Sequence, residues 1–297
     1  MLLALMRGLF VAGALSSFGA SLLATLILLP AGEFDAEPGK LNARRLRAIL
    51  AASLGVALLA GIAWLALQTR AMAETQSFAE TAAAVPSVLF GTRFGQVLCL
   101  QAATLAGAAV LVAANARFSA LAAVLAGLAV LLEAGHSHAF AMAHGLSLLL
   151  LSQSVHLLAA GAWLGGLLPL LVVVAHAPRD MAQRILRRFS ALAAAAVCLI
   201  AGTAMLQAIE LSGGLNGLFR TDYGTVLLIK AALFAVLIAL AANNRLRLTP
   251  ALASREGEGT RHSLVLSIGI ETAIGLVVVL AAAALSGLEP GMHITSG

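Results

Sequence analysis

Charge is what this sequence has least of. Asp, Glu, Lys and Arg make up 10% of its 297 residues, against about 25% in a soluble domain. So few charges cannot cover a globule in polar surface, so lipid has to cover the chain instead. Aromatic residues are also sparse, at 5% with a single tyrosine. Cysteine is nearly absent: Cys99 and Cys198 lie in separate apolar runs and no CxxC occurs, which argues against a disulfide framework or a thiolate metal site. Both are read as buried small hydrophobes. No Walker loop, dinucleotide-binding glycine pattern, nucleophile elbow or HExxH is present, so the chain has no signature of a hydrolase or of a built-in ATPase motor. The net charge of +5 sits mainly in short loops between apolar runs. That distribution concerns orientation in a membrane rather than nucleic-acid binding.

What is abundant is Leu, Ala, Val and Gly, with 61% hydrophobic residues and a mean hydropathy of +1.00. Small side chains let membrane helices approach closely. A spanning helix needs about 20 apolar residues, and eight runs qualify, near 5–29, 48–67, 94–114, 118–135, 146–174, 191–210, 223–242 and 264–286. The first is longer than the 7–15 residues or so of a signal-peptide core and is read as a span. The expected fold is all-α, a single transmembrane domain over 1–297 with about eight helices. Alternate loops carry Lys40, Arg44, Arg45 and Arg47; Arg117; Arg179, Arg184, Arg187 and Arg188; and Arg245, Arg247, Arg255 and Arg261. The remaining three loops hold only Arg70, Arg93 and Arg220. Basic loops stay cytoplasmic, which places both termini outside, a side that the resemblance given below makes the periplasm. The longest outer loop is expected to carry a surface helix over 71–84, with Glu74 and Glu80, ended by Pro86.

The candidate chemistry is histidine-rich. His136, His138 and His144 lie in one outer loop with Met142, and Glu133 lies one helical turn before His136. Imidazole and thioether without paired cysteines lean towards copper, although histidines that merely face water fit the same pattern. His156 falls near mid-membrane, where a titratable group marks an aqueous path or bonds to a neighbouring helix. Ser152 and Trp163 share its helix face, and Gly161-x-x-x-Gly165 permits close helix contact. Lys230 and Glu271 are two further intramembrane charges, read as a structural pair or as part of a relay with His156. Met205 is read as core packing before copper ligand. His176 and His262 are read as interfacial, and Met292-His293 as a tail that either captures copper or is disordered.

The segment "SVHLLAAGAWLGGLLPL" (154–170), with "RRFSALA", "TDYGTVLLIKAALF", "ANNRLRLTP" and "ETAIGLVVVLAAAAL" following in order, resembles the copper resistance protein D (CopD) family of bacterial inner-membrane proteins. The resemblance is close from His136 to Pro290. It implies copper, as Cu(I) or Cu(II), handled in the membrane for homeostasis or resistance. It also implies transport rather than enzymatic turnover, with import from the periplasm as the expected direction. A separate periplasmic CopC-type copper-binding protein is the implied partner. His156, Trp163, Gly165 and Gly166 match the helix-5 motif, Lys230 the helix-7 motif and Glu271 the helix-8 motif. Two alternatives stay open. His156 and Lys230 also resemble the His and Lys of HemJ-type protoporphyrinogen oxidases, which would make His156 an axial haem ligand in a redox protein. A scaffold that docks a copper chaperone and moves nothing is the other.

Overall fold

Long apolar runs with few breakers leave the backbone one way to satisfy its polar groups in lipid, the α-helix. The computed structural model describes residues 1–28, 37–114, 120–137, 148–211, 214–252 and 257–285, and every regular element among them is helical. In chain order they are α1 (Leu2–Leu22, continued by a π-helical turn Leu23–Leu28), α2 (Glu37–Met72), α3 (Phe78–Gly91), α4 (Arg93–Ala113), α5 (Ala120–Leu132, closed by a 3₁₀ turn Glu133–His136), α6 (Leu148–His176), α7 (Arg179–Leu211), the short α8 (Gly214–Arg220), α9 (Asp222–Asn243, continued by a π-helical turn Asn244–Leu248) and α10 (Gly257–Leu285).

Among the described residues seven helices are long and apolar enough to cross a membrane. The expected fourth span is the shorter apolar stretch Ala120–His136. The protein is a polytopic helical membrane protein. Several helices outrun their apolar cores: α2, α7 and α10 begin before the expected spans and take arginines into their N-terminal turns, within the first eleven residues of each. These basic ends converge on one face of the bundle. Arg188 donates to the Ile27 carbonyl at 3.1 Å, Arg245 to Ser190 O at 3.2 Å, and Arg261 to Ala177 O. The opposite face holds the N-terminus.

The helix α1 lies at the centre, packed on α2, α5, α6 and α10. In its most apolar stretch 67% of residues are buried, against 6% in Asp222–Ala251, so α9 is a rim helix facing lipid. The closest packing is between α1 and α6: a Cβ added to Gly165 would collide with the Leu15 carbonyl, and one on Gly19 with the Gly165–Gly166 backbone. The small residues of the helix-5 motif are what allow this approach. Gly161 meets the same partner, its would-be Cβ 2.7 Å from Phe18 Cδ1.

Three expectations need correction. The surface helix starts later than 71–84. The helix α2 runs on to Met72, Glu74 turns the chain with φ 51°, and Ser77 and Glu80 form a capping box that opens α3. Pro86 lies inside α3 and does not end it; the helix forgoes one backbone bond there. Cys99 and Cys198 are exposed on the bundle's outside, where lipid accepts them as readily as a core would. Met205 also points outwards, 67% exposed, and is not core packing.

Candidate functional site

The second turn of α1 carries an arginine into the bundle. Arg7 is paired with Glu133 at 2.9 Å, and both side chains are largely withdrawn from the surface. Glu133 is placed by the 3₁₀ turn that ends the α5 segment. Its second oxygen accepts from Gln101 Nε2 of α4 at 3.1 Å. Gln101 Oε1 in turn meets His136 Nε2 at 3.0 Å. The His136 ring lies against Trp64 and Phe94, with centroids 5.0 and 5.4 Å away, and Arg7 sits over Trp64 at 5.4 Å, within cation–π range. The ion pair and hydrogen bonds among Arg7, Glu133, Gln101 and His136 reinforce one another in this buried setting, while the Trp64 indole N–H has no partner among the described residues. The network ties α1, α2, α4 and α5 together at the N-terminal face.

Sequence reasoning placed Glu133 and His136 in this region and missed Arg7, Gln101 and Trp64. The available signal was that Arg7 and Gln101 are polar residues inside apolar runs, which in lipid demand partners. His136 Nε2 is engaged by Gln101, so only Nδ1 is left for other chemistry. His138, Met142 and His144 lie outside the described residues, as do Met292 and His293.

A cavity of about 190 Å³ opens beneath this network, lined by Arg7, Glu133, His156, Trp163, Tyr223 and Lys230 among others. A second chamber above it, about 440 Å³, is lined by Arg7, Trp64, Gln68, Arg93 and His136. Arg7 and Ser137 border both, so the Arg7–Glu133 pair stands between them.

His156 is held from one side. Its Nδ1 lies 3.0 Å from Thr203 Oγ1 on α7, and the Thr203 hydroxyl lies 2.6 Å from the Leu199 carbonyl. A hydroxyl has one proton. Spent on Leu199, it leaves Thr203 to accept, so Nδ1 carries the ring proton and Nε2 keeps the lone pair. Ser152 extends the same strip of contacts, donating to Thr203 O at 3.3 Å and accepting from Gln207 at 3.4 Å. Trp163 is 1% exposed and packs edge-on to Phe234, centroids 6.0 Å apart.

Lys230 reaches the cavity from α9 and has no hydrogen-bond or ion-pair partner among the described residues. It is not paired with Glu271. Glu271 is bonded to Asn244, and Asn244 lies fourteen residues beyond Lys230, about 21 Å along the helix at 1.5 Å per residue. Glu271 therefore stands nearer the arginine-rich face and does not line the cavity. His176 and His262 are exposed at that face, as expected of interfacial residues. Among the described residues no three His, Cys, Asp or Glu side chains come together to hold a metal ion.

Two family models match the chain: copper resistance protein D-like, N-terminal domain, over residues 1–149, and copper resistance protein D over 183–285. Copper resistance protein D of Pseudomonas syringae pv. tomato is 27% identical over 264 residues, 83% of this chain and 85% of that one. Inner membrane protein YebZ of Escherichia coli is 32% identical over 142 residues, 47% of this chain and 48% of that one. Copper transport protein CutJ of Bacillus subtilis is 31% identical over 143 residues, 47% of this chain and 25% of that one. The match thus spans about half of the Escherichia coli protein and a quarter of the Bacillus subtilis protein. No solved structure matches the chain. With its helical membrane bundle and two matched stretches that share one hydrophobic core, the chain belongs to the copper resistance protein D family of multi-pass inner-membrane proteins.

Proposed function

We propose that the protein handles copper in the inner membrane by carrying it from the periplasm towards the cytoplasm, in the service of copper homeostasis or resistance. The observation that supports this most directly is the single cavity that brings His156 and Lys230 together beneath the Arg7–Glu133 pair. The Nε2 of His156 offers a lone pair suited to copper. Transport needs a ligand set weak enough to let the ion go, and one imidazole beside an ammonium meets that need. Lys230 opposes a second positive charge nearby, which shortens the ion's stay. In this reading Trp163 closes the wall of the path, and His136, His138, His144 and Met142 collect the ion on the outer side. The Arg7–Glu133 pair parts, or is bypassed, as the ion enters. With the arginine-rich face in the cytoplasm, the cavity opens towards the periplasm, where a CopC-type protein would deliver copper.

The test is uptake of radioactive copper into proteoliposomes, wild type beside His156→Ala. The variant should lose about 90% of the initial rate, the tenfold that one lost ligand contact is worth. Undiminished uptake in His156→Ala would remove His156 from the path, and wild-type vesicles that take up no more copper than empty ones would overturn transport itself. A second reading is favoured by the same pair of residues. His156 Nε2 would serve as the imidazole ligand of a haem iron, with Lys230 lining the same cavity; a Soret band in purified protein that His156→Ala abolishes would favour it.

A further inference from the structure

Away from the copper cavity, three oxygen-bearing side chains meet in the interior without a charge to balance them. Glu271 of α10 is 2% exposed. Its one hydrogen-bond partner is the amide of Asn244, and its ordinary ionised form would leave a full negative charge in a membrane interior. Asn244 is 8% exposed and its Oδ1 has no partner among the described residues. Ser267 lies one helical turn before Glu271, on the same face. It too is 8% exposed, with a hydroxyl that has no partner. Buried polar atoms are nearly always satisfied, so two orphaned oxygens beside an unpaired carboxyl need an explanation. The π-helical turn Asn244–Leu248 adds to the pattern. Such bulges re-aim a side chain and recur at functional sites, and this one begins with Asn244.

Among the described residues no charged group is hydrogen-bonded or ion-paired to Glu271. On α7, which packs on the turn that holds Asn244, Arg188 donates to the Ile27 carbonyl and Arg184 has a partner other than Glu271. On α10, Arg261 is turned to the Ala177 carbonyl and His262 is exposed. On the π-helical turn, Arg245 bonds Ser190 O and Arg247 is exposed. On α9, Lys230 is about 21 Å up the helix. On α6, His156 lines the other cavity and His176 is held at the arginine-rich end by Val172 O. On α1, Arg7 is paired with Glu133.

We propose that Glu271, Asn244 and Ser267 form a binding site for a hard monovalent cation, a proton or Na⁺. The oxygen donors are those that hard cations prefer and copper does not. One carboxylate provides one negative charge, so a single positive charge neutralises the site. A divalent ion would leave an uncompensated charge in the interior. The Asn244 amide serves both states of the carboxyl. Its Nδ2 donates to the carboxylate, and after a flip of the amide its Oδ1 accepts the proton of the acid. For Na⁺, Oδ1 and the Ser267 hydroxyl join the carboxylate oxygens as ligands. The proposal is independent of copper transport: the site is separated from His156 and would bind its ion whether or not the protein moves copper.

The test is infrared difference spectroscopy of the purified full-length protein in detergent, following the protonated carboxyl band that Glu271→Gln removes. The pH is varied at fixed choline chloride, then NaCl replaces choline at fixed pH while an indicator dye follows proton release. A band that titrates with pH and ignores Na⁺ identifies a proton site. A band that Na⁺ abolishes with release of protons, an effect absent in Glu271→Gln, identifies a Na⁺ site. In that case Ser267→Ala should raise the Na⁺ concentration for half effect about tenfold, one ligand contact's worth. Ser267→Ala keeps the carboxyl and carries the test should Glu271→Gln fail to fold. A Glu271 band indifferent to both pH and Na⁺, or a Na⁺ effect unchanged in Glu271→Gln, would overturn the proposal.

Discussion

Replacing Glu133 by Gln removes one charge from the Arg7 pair while keeping the side chain's shape. In the wild type the two partners are 13% and 8% exposed, so Arg7 would be left with its charge withdrawn from water and uncompensated. Breaking a buried pair from one side costs about 3–5 kcal/mol. With an unfolding entropy of about 2.1 cal/mol/K per residue, a chain of 297 residues loses about 5–8 °C in melting temperature. Unfolding in detergent keeps part of the helical structure, which lowers the entropy and enlarges the shift. The second half of the experiment is Arg7→Met combined with Glu133→Gln. This removes both charges and should recover most of the loss, since an apolar replacement of a buried pair is often close to neutral. Thermal melts in one detergent, arranged as a double-mutant cycle, should show a coupling of at least about 2 kcal/mol. Additive single effects, or a Glu133→Gln protein that melts with the wild type, would refute the idea that this pair is energetically closed to water.

Other outcomes follow from separate parts of the bundle. Gly165→Ala forces a methyl into the Leu15 carbonyl, backbone against backbone. It should cost about 3 kcal/mol or more, whereas Gly269→Ala meets nothing within 4 Å and should melt with the wild type; equal melts would refute the packing argument. Thr203→Val removes the acceptor of His156 Nδ1–H, worth about 0.5–1.5 kcal/mol. The ratio of ring tautomers should move about 2- to 12-fold away from Nδ1–H, read by ¹⁵N NMR of histidine-labelled protein. The backbone N–H of Gln76, then the hydroxyl and amide of Ser77, hold the Glu80 carboxyl below the usual carboxylate range. The capping interaction is therefore present above the ordinary carboxylate pKa and is lost as pH falls through the lowered value. Proteolysis between Met72 and Phe78 should accelerate on acidification in the wild type, and a Glu80→Gln protein should show no such step.

The layers of this structure differ in how far the sequence discloses them. The polytopic helical character was readable because hydrocarbon imposes length and composition on each helix separately, and Arg188, Arg245 and Arg261 converge on one face. The Gly161–Gly165 contact surface was readable because its spacing is local. Pairings between helices were not. Arg7 finds Glu133 across 126 positions, and no periodicity within either helix points to the other. Opposite signs suggest a Lys230–Glu271 pair, but the register between two antiparallel helices is set by packing and puts Glu271 on Asn244, about 21 Å along the helix from Lys230. The surface helix differs from 71–84 for a smaller reason: the capping box of Ser77 and Glu80 sets its start, and Pro86 is tolerated inside it at the loss of one backbone bond.

The interlocked backbones of α1 and α6 restrict what the bundle can do when it works. Two helices that touch main chain to main chain at Leu15, Gly19 and Gly165 have no side chains at those points to act as bearings, so they neither slide nor roll past each other cheaply. They form a fixed keel. Under the proposed copper route, an opening to His156 would come more cheaply from a helix that rests largely on lipid, such as α9, than from this pair.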